Sequence, residues 1–336
     1  MSRPYLVTGA AGVVGQSLLA ALPAHAAIGL VREGGTRPSH AAGLLTGDVT
    51  VPALGLAPGP YRRLAGRIGG VIHSAAITSF TRSAADIHRV NAGGTAHALR
   101  LATDAGVPFH LISTIYVERR PGSIPTGRSR AYRESKQAAE ELVRAAQVPW
   151  SILRMSLVIG HSADGSIPRF QGVYAAMKAL VTGEAHVIPV APGSFIDFLP
   201  RDYAAACAVA LIEAGAGGEH WITAGKRALT IDQFTAVCTA YARRRGWQVP
   251  TPRMVDSEMV HRLIMPAFGD RLGADVRKRL ELFTDILGPL TTDRQLPTVE
   301  PGLPGPGDPP DLVSCLDASL SHWGSRVRLI PPGAIA

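Results

Sequence analysis

The sequence predicts an α/β fold, a doubly wound parallel sheet followed by a smaller, partly helical C-terminal region. Three observations predict it. Short β-rich runs alternate with helical patterns over the first 160 residues, and these runs are continuously apolar, as expected where both faces of a sheet are buried. A glycine-rich turn joins the first run to the first helical pattern. With 336 residues, the chain is also long enough to bury a substantial core.

The expected elements of the sheet follow one another in regular order. We expect five strands, at residues 5–8, 27–31, 70–74, 109–113 and 150–155. Apolar residues at helical spacing predict helices between them, at 13–22, 84–105 and 130–147. This order is typical of a parallel sheet that is covered by helices on both faces.

Beyond residue 160 the pattern is less regular. We expect a loop with one helix at 161–199, a strand at 219–223, and helices at 201–214, 230–245, 256–287 and 311–323. Proline and glycine are frequent in residues 297–310, which excludes a helix or an inner strand there and predicts a linker.

The turn after the first strand carries the most specific motif. It reads Thr8-Gly9-Ala10-Ala11-Gly12-Val13-Val14-Gly15 and opens the first helix. Glycines allow a tight turn there and let backbone N–H groups approach a pyrophosphate at the helix N-terminus. A strand before the motif and a helix after it distinguish it from an ordinary glycine turn. It predicts dinucleotide binding by Gly9, Ala11, Gly12, Val13, Val14 and Gly15.

This motif divides the chain by expected function. Residues 1–160 are predicted to form a dinucleotide-binding domain of Rossmann type, to which residues 200–224 return. Residues 161–199 and 225–336, including the linker at 297–310, are predicted to form a substrate-binding region. They carry no readable chemical motif, so the sequence does not identify the substrate.

The end of the second strand indicates which dinucleotide binds. A carboxylate there would bind the adenosine ribose, whereas a basic residue would accept a 2′-phosphate. Arg32 ends this strand and Arg37 follows, and a guanidinium is well suited to phosphate. The adjacent Glu33 favours the unphosphorylated cofactor. The alternative to phosphate binding is that the two arginines are simply solvated in a polar loop. We predict NADP (NADPH) rather than NAD.

A tyrosine and a lysine in the third helix predict acid–base chemistry. Tyr132 and Lys136 are four residues apart and share one helix face. A phenol has a pKa of about 10, which a neighbouring ammonium and an oxidised nicotinamide would lower. Because the chain has only four lysines, this pairing is uncommon by chance. Tyr132 is predicted to protonate a carbonyl oxygen as hydride arrives, and Thr114 or Ser113 to donate a hydrogen bond to that oxygen.

The composition argues against other classes of protein. The net charge of +8 comes from arginines spread along the chain, with Arg243–Arg245 as the longest cluster, so we expect no nucleic-acid partner. The three cysteines and the scattered histidines lack metal-ligand spacing, and His73 is interpreted as a core histidine. We find no basic leader with an apolar stretch and no apolar run of about 18 residues, and expect a soluble cytoplasmic protein without a membrane partner.

Further segments, together with the motifs above, carry a family resemblance over about residues 4–225. They lie at residues 47–50, 54–56, 71–76, 89–95, 153–160, 164–165 and 196–203. With Thr114, Tyr132 and Lys136 as a Ser/Thr–Tyr–Lys trio, the chain resembles the extended short-chain dehydrogenase/reductase superfamily. It is most similar to the thioester-reductase branch, which includes carboxylic acid reductase terminal domains and fatty acyl reductases. It departs from the family pattern at Met155, at Arg201 and in the short stretch between Arg32 and Asp48.

The resemblance implies several roles for individual residues. Lys136 would also hold the nicotinamide ribose, and Asn91 would steady the helix beneath the cofactor site. The other implied cofactor contacts are adenine at Asp48 and Val49, the lining at Ser74, Ala75 and Ala76, and the carboxamide at Val158. Many relatives pair through helices like those expected at 84–105 and 130–147, which makes a homodimer one expected state.

The leading hypothesis is an NADPH-dependent reductase of a carbonyl-level substrate. In its more specific form, this hypothesis gives as the substrate an acyl thioester, on CoA or an acyl carrier protein, which is reduced to aldehyde or alcohol. A ketone or hydroxysteroid-type dehydrogenase is the first alternative, and the short stretch after Arg32 favours it. A sugar-nucleotide epimerase or dehydratase would prefer tightly held NAD and an acidic residue in place of Arg32. A non-enzymatic NADP-sensing module would normally lack Tyr132.

Overall fold

The computed structural model describes residues 3–78, 82–118, 127–260, 262, 273, 287, 291–299, 305–308 and 310–330. Its strands, in chain order, are β1 (Tyr5–Thr8), β2 (Ala27–Val31), β3 (Gly43–Thr46), β4 (Gly70–His73), β5 (Phe109–Thr114), β6 (Trp150–Met155), β7 (Leu157–Ile159), β8 (Val187–Ile188), β9 (Phe195–Ile196), β10 (Phe198–Pro200), β11 (Gly218–Ile222), β12 (Leu229–Thr230), β13 (Arg253–Met254) and β14 (Thr291–Thr292). Its helices are α1 (Val13–Ala21), α2 (Pro58–Arg67), α3 (Ala84–His88), α4 (Gly94–Ala105), α5 (Gly127–Arg144), α6 (Gly172–Val181), α7 (Arg201–Glu213), α8 (Ile231–Arg244), α9 (Ser257–Met259) and α10 (Leu312–Arg326).

Seven of the strands form one parallel sheet in the order β11-β6-β5-β4-β1-β2-β3. The chain builds outward from β1 in one direction through β2 and β3, and in the other through β4, β5 and β6. In open α/β sheets, ligands bind at the carboxyl ends of the strands where this order reverses. That point lies between β1 and β4. The predicted doubly wound α/β fold is therefore confirmed.

Two apolar clusters cover the two faces of this sheet. Leu64 of α2, Leu101 of α4 and Val143 of α5 pack on one face. Leu18 of α1 and Leu211 of α7 belong to the cluster on the other face, which continues into the C-terminal region. Because both faces are covered, the central strands read as continuous apolar runs rather than as an alternating pattern.

Three small sheets lie beyond the main one. β7 pairs with β10, β8 pairs with β13, and β9 lies between β12 and β14. The helix α10 packs near the end of β7, where the Gly160 N–H donates to Ser319 Oγ at 3.2 Å across 159 residues of chain. The last described helix therefore completes the hydrogen bonding of a strand end in the first half of the protein.

The expected elements agree with the structure at most positions. All six predicted strands are confirmed, with ends that differ by no more than one residue. The predicted helix at 84–105 is instead interrupted by a π-helical turn at Arg89–Gly93, and the helix expected at 130–147 runs from Gly127 to Arg144. Most of the helical pattern at 256–287, and part of the linker at 297–310, lies outside the described residues.

Two elements of the sheet domain were not predicted. The edge strand β3 is only four residues long and half exposed, so it lacks the continuous apolar signature of the inner strands. The helix α2 begins with Pro58-Gly59-Pro60, a sequence typical of turns. Proline is nevertheless compatible with the first turn of a helix, because its missing N–H has no partner there in any case.

The packing of helices on the sheet predicts that two helical leucines contribute differently to the free energy of unfolding. Leu101 on α4 is fully buried, whereas Leu142 on α5 is 39% exposed. We expect Leu101→Ala to lower the free energy of unfolding by about 2–5 kcal/mol, because it leaves a cavity against the sheet. Leu142→Ala is the matched control and should cost less than about 1 kcal/mol. Urea denaturation measures both values, and equal losses would contradict the packing of α4 described above.

Candidate active site

The turn between β1 and α1 requires glycine at two positions. Gly9 has a φ of +65°, and a Cβ atom there would lie 2.6 Å from the backbone nitrogen of Ala75. A Cβ atom at Gly15 would lie 2.1 Å from the carbonyl oxygen of Gly9. The turn is closed by the N–H of Gly12, which donates to that same carbonyl oxygen at 2.8 Å. Any side chain at Gly9 or Gly15 would therefore displace backbone.

This turn lies against the loop that follows β4, at the reversal point of the sheet. Ser74 Oγ donates to the Thr8 carbonyl oxygen at 2.8 Å. The helix α1 begins after Gly12 without a side-chain cap. The N–H groups of its first turn are thus left for another acceptor, and the partial positive charge of a helix N-terminus suits an anion. Ala11 and Val14 are half-buried beside it. These residues fit a dinucleotide pyrophosphate.

The ends of β2 and β3 bring together the residues predicted for the adenosine half of the cofactor. Arg32 and Arg37 are both exposed. Thr50 donates to Asp48 Oδ1 from its backbone N–H and from its hydroxyl, each at 2.8 Å. The backbone hydrogen bond is the main reason that the pKa of Asp48 is held below its usual value, and the charges of Arg32 and Arg89 lower it further.

Val49 packs beneath this group. Its side chain is buried, and the Val49 carbonyl oxygen lies 2.9 Å from Nδ1 of His97 on α4. A Cβ atom on Gly94 would lie 3.0 Å from Val49 Cγ2, so the start of α4 approaches the end of β3 closely. Asp48 is therefore held by Thr50, and Val49 by the start of α4.

The predicted trio comes together at the carboxyl end of β5. Thr114, Tyr132 and Lys136 are all buried. Burial raises the pKa of Tyr132 to about 12, and a hydrogen bond with the Thr114 side chain opposes that rise. Lys136 Nζ donates to the Ile112 carbonyl oxygen at 2.8 Å. Burial lowers the pKa of Lys136 to about 8, while the charge of Glu140 opposes the shift.

The geometry separates the two hydroxyls that end β5. Thr114 interacts with Tyr132, whereas Ser113 Oγ donates to Glu140 Oε1 at 2.6 Å. Successive side chains of a strand point to opposite faces, which explains the difference. Of the two candidates considered from the sequence, Thr114 is the one that lies beside Tyr132.

Asn91 links three parts of the site. Its side-chain nitrogen donates to the Ile77 carbonyl oxygen at 3.1 Å and to Ser135 Oγ at 2.9 Å. Its side-chain oxygen accepts the Ile77 N–H at 2.7 Å. The π-helical turn is thereby joined to the loop after β4 and to α5, one residue before Lys136. The predicted role of Asn91, to steady the helix beneath the cofactor site, stays a prediction.

Two neighbours of the trio were not assigned to it from the sequence. Tyr116 meets Tyr132 edge to face, with the ring centroids 5.8 Å apart. Its position two residues after Thr114 was the only sequence signal. His73 ends β4 and is fully buried, with Nδ1 2.8 Å from Thr8 Oγ1. Burial, with a smaller effect of Lys136, lowers the pKa of His73 to about 3, consistent with a neutral core histidine.

The far side of the crevice is formed by β7 and α7. Val158 is half-buried on β7 and pairs with Leu199 of β10. Its predicted contact with the carboxamide stays a prediction. Arg201 donates to Ser17 Oγ of α1 at 3.2 Å and to the Ser166 carbonyl oxygen at 2.8 Å. The departure from the family pattern at Arg201 thus joins the cofactor helix to the loop at 161–166.

The described residues lack two further kinds of feature. Within them, no group of three or more His, Cys, Asp or Glu side chains is arranged to hold a metal ion. Nor does any helix in this part of the chain combine the length and apolar character that crossing a membrane requires.

Several sequence relatives of this chain are large synthetases. A hybrid PKS-NRPS synthetase, poxE of Penicillium oxalicum, is 32% identical over 180 residues, which cover 47% of this chain and 4% of the relative. The nonribosomal peptide synthetase acrB of Aspergillus aculeatus is 33% identical over 165 residues, which cover 42% of this chain and 11% of the relative. The chain therefore spans only a small part of the length of these relatives.

Two solved structures share the fold over nearly the whole chain. The terminal R domain from the myxalamid PKS-NRPS biosynthetic pathway has a TM-score of 0.73 at 23% identity, covering 98% of this chain and 93% of that domain. The Bordetella bronchiseptica enzyme WbmG in complex with NAD has a TM-score of 0.64 at 20% identity, with 96% of each chain covered. At these identities the two comparisons establish the fold alone.

The sequence pattern of one protein family matches half of the chain. That family is described as "Male sterility protein", and the match extends over residues 40–208, from the end of the loop before β3 into α7. It includes the predicted trio and most of the segments that carried the resemblance. The chain belongs to the male sterility protein family, in the thioester-reductase branch of the extended short-chain dehydrogenases/reductases, and is an NAD(P)-dependent oxidoreductase.

Proposed function

We propose that this protein is an NADPH-dependent reductase that converts an acyl thioester, held on CoA or on an acyl carrier protein, to an aldehyde. The observation that carries the proposal is the cluster of Thr114, Tyr132 and Lys136 beside the glycine turn. The relatives add support for the substrate class, because terminal reductase domains of PKS-NRPS synthetases act on thioesters linked to carrier proteins.

Different residues around the crevice would contact different parts of the cofactor. The backbone of residues 9–15 would hold the pyrophosphate at the start of α1. Arg32 and Arg37 would bind the 2′-phosphate, Asp48 and Val49 would contact adenine, and Ser74 to Ala76 would line the middle of the cofactor. Lys136 would hold the nicotinamide ribose and Val158 the carboxamide end. When bound, NADPH supplies the hydride.

The trio provides the proton and the orientation. Because burial raises the pKa of Tyr132 to about 12, its hydroxyl is protonated at neutral pH and is a donor. Thr114 and Tyr132 would both donate hydrogen bonds to the carbonyl oxygen of the substrate. As hydride adds to the carbonyl carbon, the C=O π electrons move to oxygen and that oxygen takes the proton from Tyr132. The ammonium of Lys136 stabilises the phenolate that remains.

A thioester substrate then requires a second step. Hydride addition leaves a hemithioacetal, in which the former carbonyl carbon carries a hydroxyl and the sulfur. The hydroxyl loses its proton, the C–S bond breaks, and sulfur leaves and is protonated to the thiol. The product is an aldehyde after a net two-electron reduction. A second round on that aldehyde, with a second NADPH, would give the alcohol.

A ketone dehydrogenase of the same superfamily is the second candidate. The observation that favours it is the short segment between the end of β2 and Asp48, which leaves little chain to contact a phosphopantetheine arm. The trio would act on a free ketone by the same hydride and proton transfers. An epimerase or dehydratase agrees less well, because Arg32 stands where a carboxylate would bind the ribose of NAD.

A substrate screen decides between the two candidates. We expect NADPH consumption with acyl-CoA or carrier-bound acyl thioesters, with release of free thiol and of an aldehyde that a hydrazine can trap. Ketones and nucleotide sugars are the parallel substrates. Turnover of ketones alone would refute the thioester assignment and leave the reductase class intact.

Substitution of Tyr132 tests the assigned acid. Tyr132→Phe should lower kcat by about 100- to 10,000-fold, because it removes the proton that the carbonyl oxygen needs. The affinity for NADPH, measured by fluorescence titration, should stay within about threefold of the wild type, since Lys136 remains. Tyr116→Phe is the matched control, because its ring lies against Tyr132 but is assigned no proton transfer. Full turnover in Tyr132→Phe would remove the acid from the proposal.

The cofactor preference depends on the two arginines after β2. Charge-assisted hydrogen bonds contribute about 1.5–3 kcal/mol, so Arg32→Ala with Arg37→Ala should raise KM for NADPH by about 10- to 100-fold or more. KM for NADH should change little. Arg62→Ala, which removes an exposed arginine from α2, controls for the overall loss of positive charge. An equal loss for NADPH and NADH would contradict binding of a 2′-phosphate.

A further inference from the structure

A buried carboxylate stands behind the predicted trio. Glu140 lies one helical turn after Lys136 on α5 and is 1% exposed. It accepts hydrogen bonds from Ser113 Oγ of β5 at 2.6 Å and from Arg154 of β6, through Nη2 at 2.7 Å and Nε at 3.1 Å. Arg144, one turn further along α5, donates to it at 2.7 Å. Glu140 therefore joins the helix that carries Tyr132 and Lys136 to two strands of the sheet.

A second carboxylate closes this cluster on its outer side. Glu219 of β11 contacts Arg144 Nε at 2.6 Å and Arg154 Nη2 at 2.7 Å. The guanidinium of Arg154 also lies over the ring of Trp221, 5.2 Å from its centroid. The two carboxylates share the same two arginines, but only Glu140 is buried and only Glu140 lies one turn from Lys136. The chain thus offers two acidic residues in one cluster that differ in their distance from the site.

Lys136 adds one more charge to the surroundings of this cluster. Its two arginines balance its two carboxylates, and Lys136 adds a buried positive charge beside them. Burial alone favours the neutral form of a lysine, and an opposite charge nearby favours the charged form. The carboxylate of Glu140 opposes the loss of the Lys136 proton and so counteracts the effect of burial.

We propose that Glu140 is a positioning residue of this active site, which anchors α5 to β5 and β6 and keeps Lys136 protonated. The inference rests on the proposed role of Lys136 in holding the cofactor and stabilising the Tyr132 phenolate. The quantity that tests the proposal is the protonation of Lys136, which can be measured without substrate or cofactor.

Several other titratable or charged groups lie on the elements that pack around Lys136. On α5 itself the nearest acid is Tyr132, and from β4 comes the neutral His73. Further charged or titratable groups on these elements include Arg154 on β6, the paired charges Asp86 with Arg89 and Arg100 with Asp104, Tyr116 after β5, His97 on α4 and His110 on β5. Glu140 differs from all of these groups. It is a carboxylate one turn from Lys136 on the same helix face, and its charge raises the pKa of Lys136.

The scarcity of lysine makes a direct measurement practical. With ¹³C at the lysine Cε position, the protein gives four signals, because the chain contains Lys136, Lys178, Lys226 and Lys278 and no others. The Lys136→Arg variant assigns one of them. In the wild type we expect the Lys136 signal to titrate near pH 8. In Glu140→Gln it should titrate about one pH unit lower, since the charged form loses its counterion.

The Glu219→Gln variant is the matched control. It removes a carboxylate from the same two arginines and should lower the thermal midpoint of unfolding, but it should leave the titration of Lys136 unchanged. An unshifted Lys136 signal in Glu140→Gln would overturn the proposal and leave Glu140 as a structural ion pair. Equal shifts in Glu140→Gln and Glu219→Gln would overturn it as well.

The pH profile of cofactor use gives a second readout. We expect kcat/KM for NADPH in the wild type to fall as the pH rises through about 8, where Lys136 loses its proton. In Glu140→Gln the same fall should begin about one unit lower. A shifted lysine titration with an unshifted rate profile would retain the effect of Glu140 on Lys136 but refute the proposed role of Lys136. If Glu140→Gln does not fold, Glu140→Gln with Arg154→Gln removes one charge of each sign, and a smaller downward shift of the Lys136 titration is required, because a repulsive guanidinium is lost together with the carboxylate.

Discussion

The close approach of Gly9 to the backbone of Ala75 is the contact on which the crevice depends. It brings the turn after β1 within van der Waals distance of the loop after β4, at the point where the strand order reverses. Gly15 allows α1 to begin directly over the same turn. Because neither position has room for a side chain, the helix N-terminus and the β4 loop form one rigid edge, and Asp48, Val49 and the trio are arranged along it.

The second half of the site depends on how α5 is held. One face of this helix carries Tyr132 and Lys136, while Ser135 on the same helix accepts a hydrogen bond from Asn91 of the π-helical turn. Glu140 ties the following turn to the sheet. Burying a carboxylate is unfavourable unless hydrogen bonds and opposite charges compensate for its lost hydration. Here Ser113 and two arginines provide that compensation, so the cost of the buried charge is offset by a firmly oriented helix.

Much of the fold and part of the site could be predicted from local sequence. Both faces of the central strands are buried, so their apolar runs were continuous and their bounds were predicted to within one residue. Tyr132 and Lys136 could be paired because helical spacing alone places them on one face. The structure brings Thr114 to that face, and the family match establishes the oxidoreductase class, while the individual roles of these residues remain proposals.

Other features depend on contacts that no local pattern encodes. The strand register decides that Ser113 faces Glu140 while Thr114 faces Tyr132, and a one-residue shift would exchange them. The partners of Glu140 are contributed by β5, β6 and α5, so nothing in its immediate sequence marks it. Helix α2 was missed because Pro58-Gly59-Pro60 is typical of a turn, and only its packing against α4 reveals the helix.

The hydrogen bond between Gly160 and Ser319 has a consequence for the order in which the protein folds during synthesis. The seven-stranded sheet is complete once β11 has been made, and its contacts are mostly between neighbouring strands. The N–H that ends β7 still lacks its partner at that stage, because α10 is about ninety residues further along the chain. The hydrogen bond that completes the end of β7 can therefore form only after the last described helix has been synthesised.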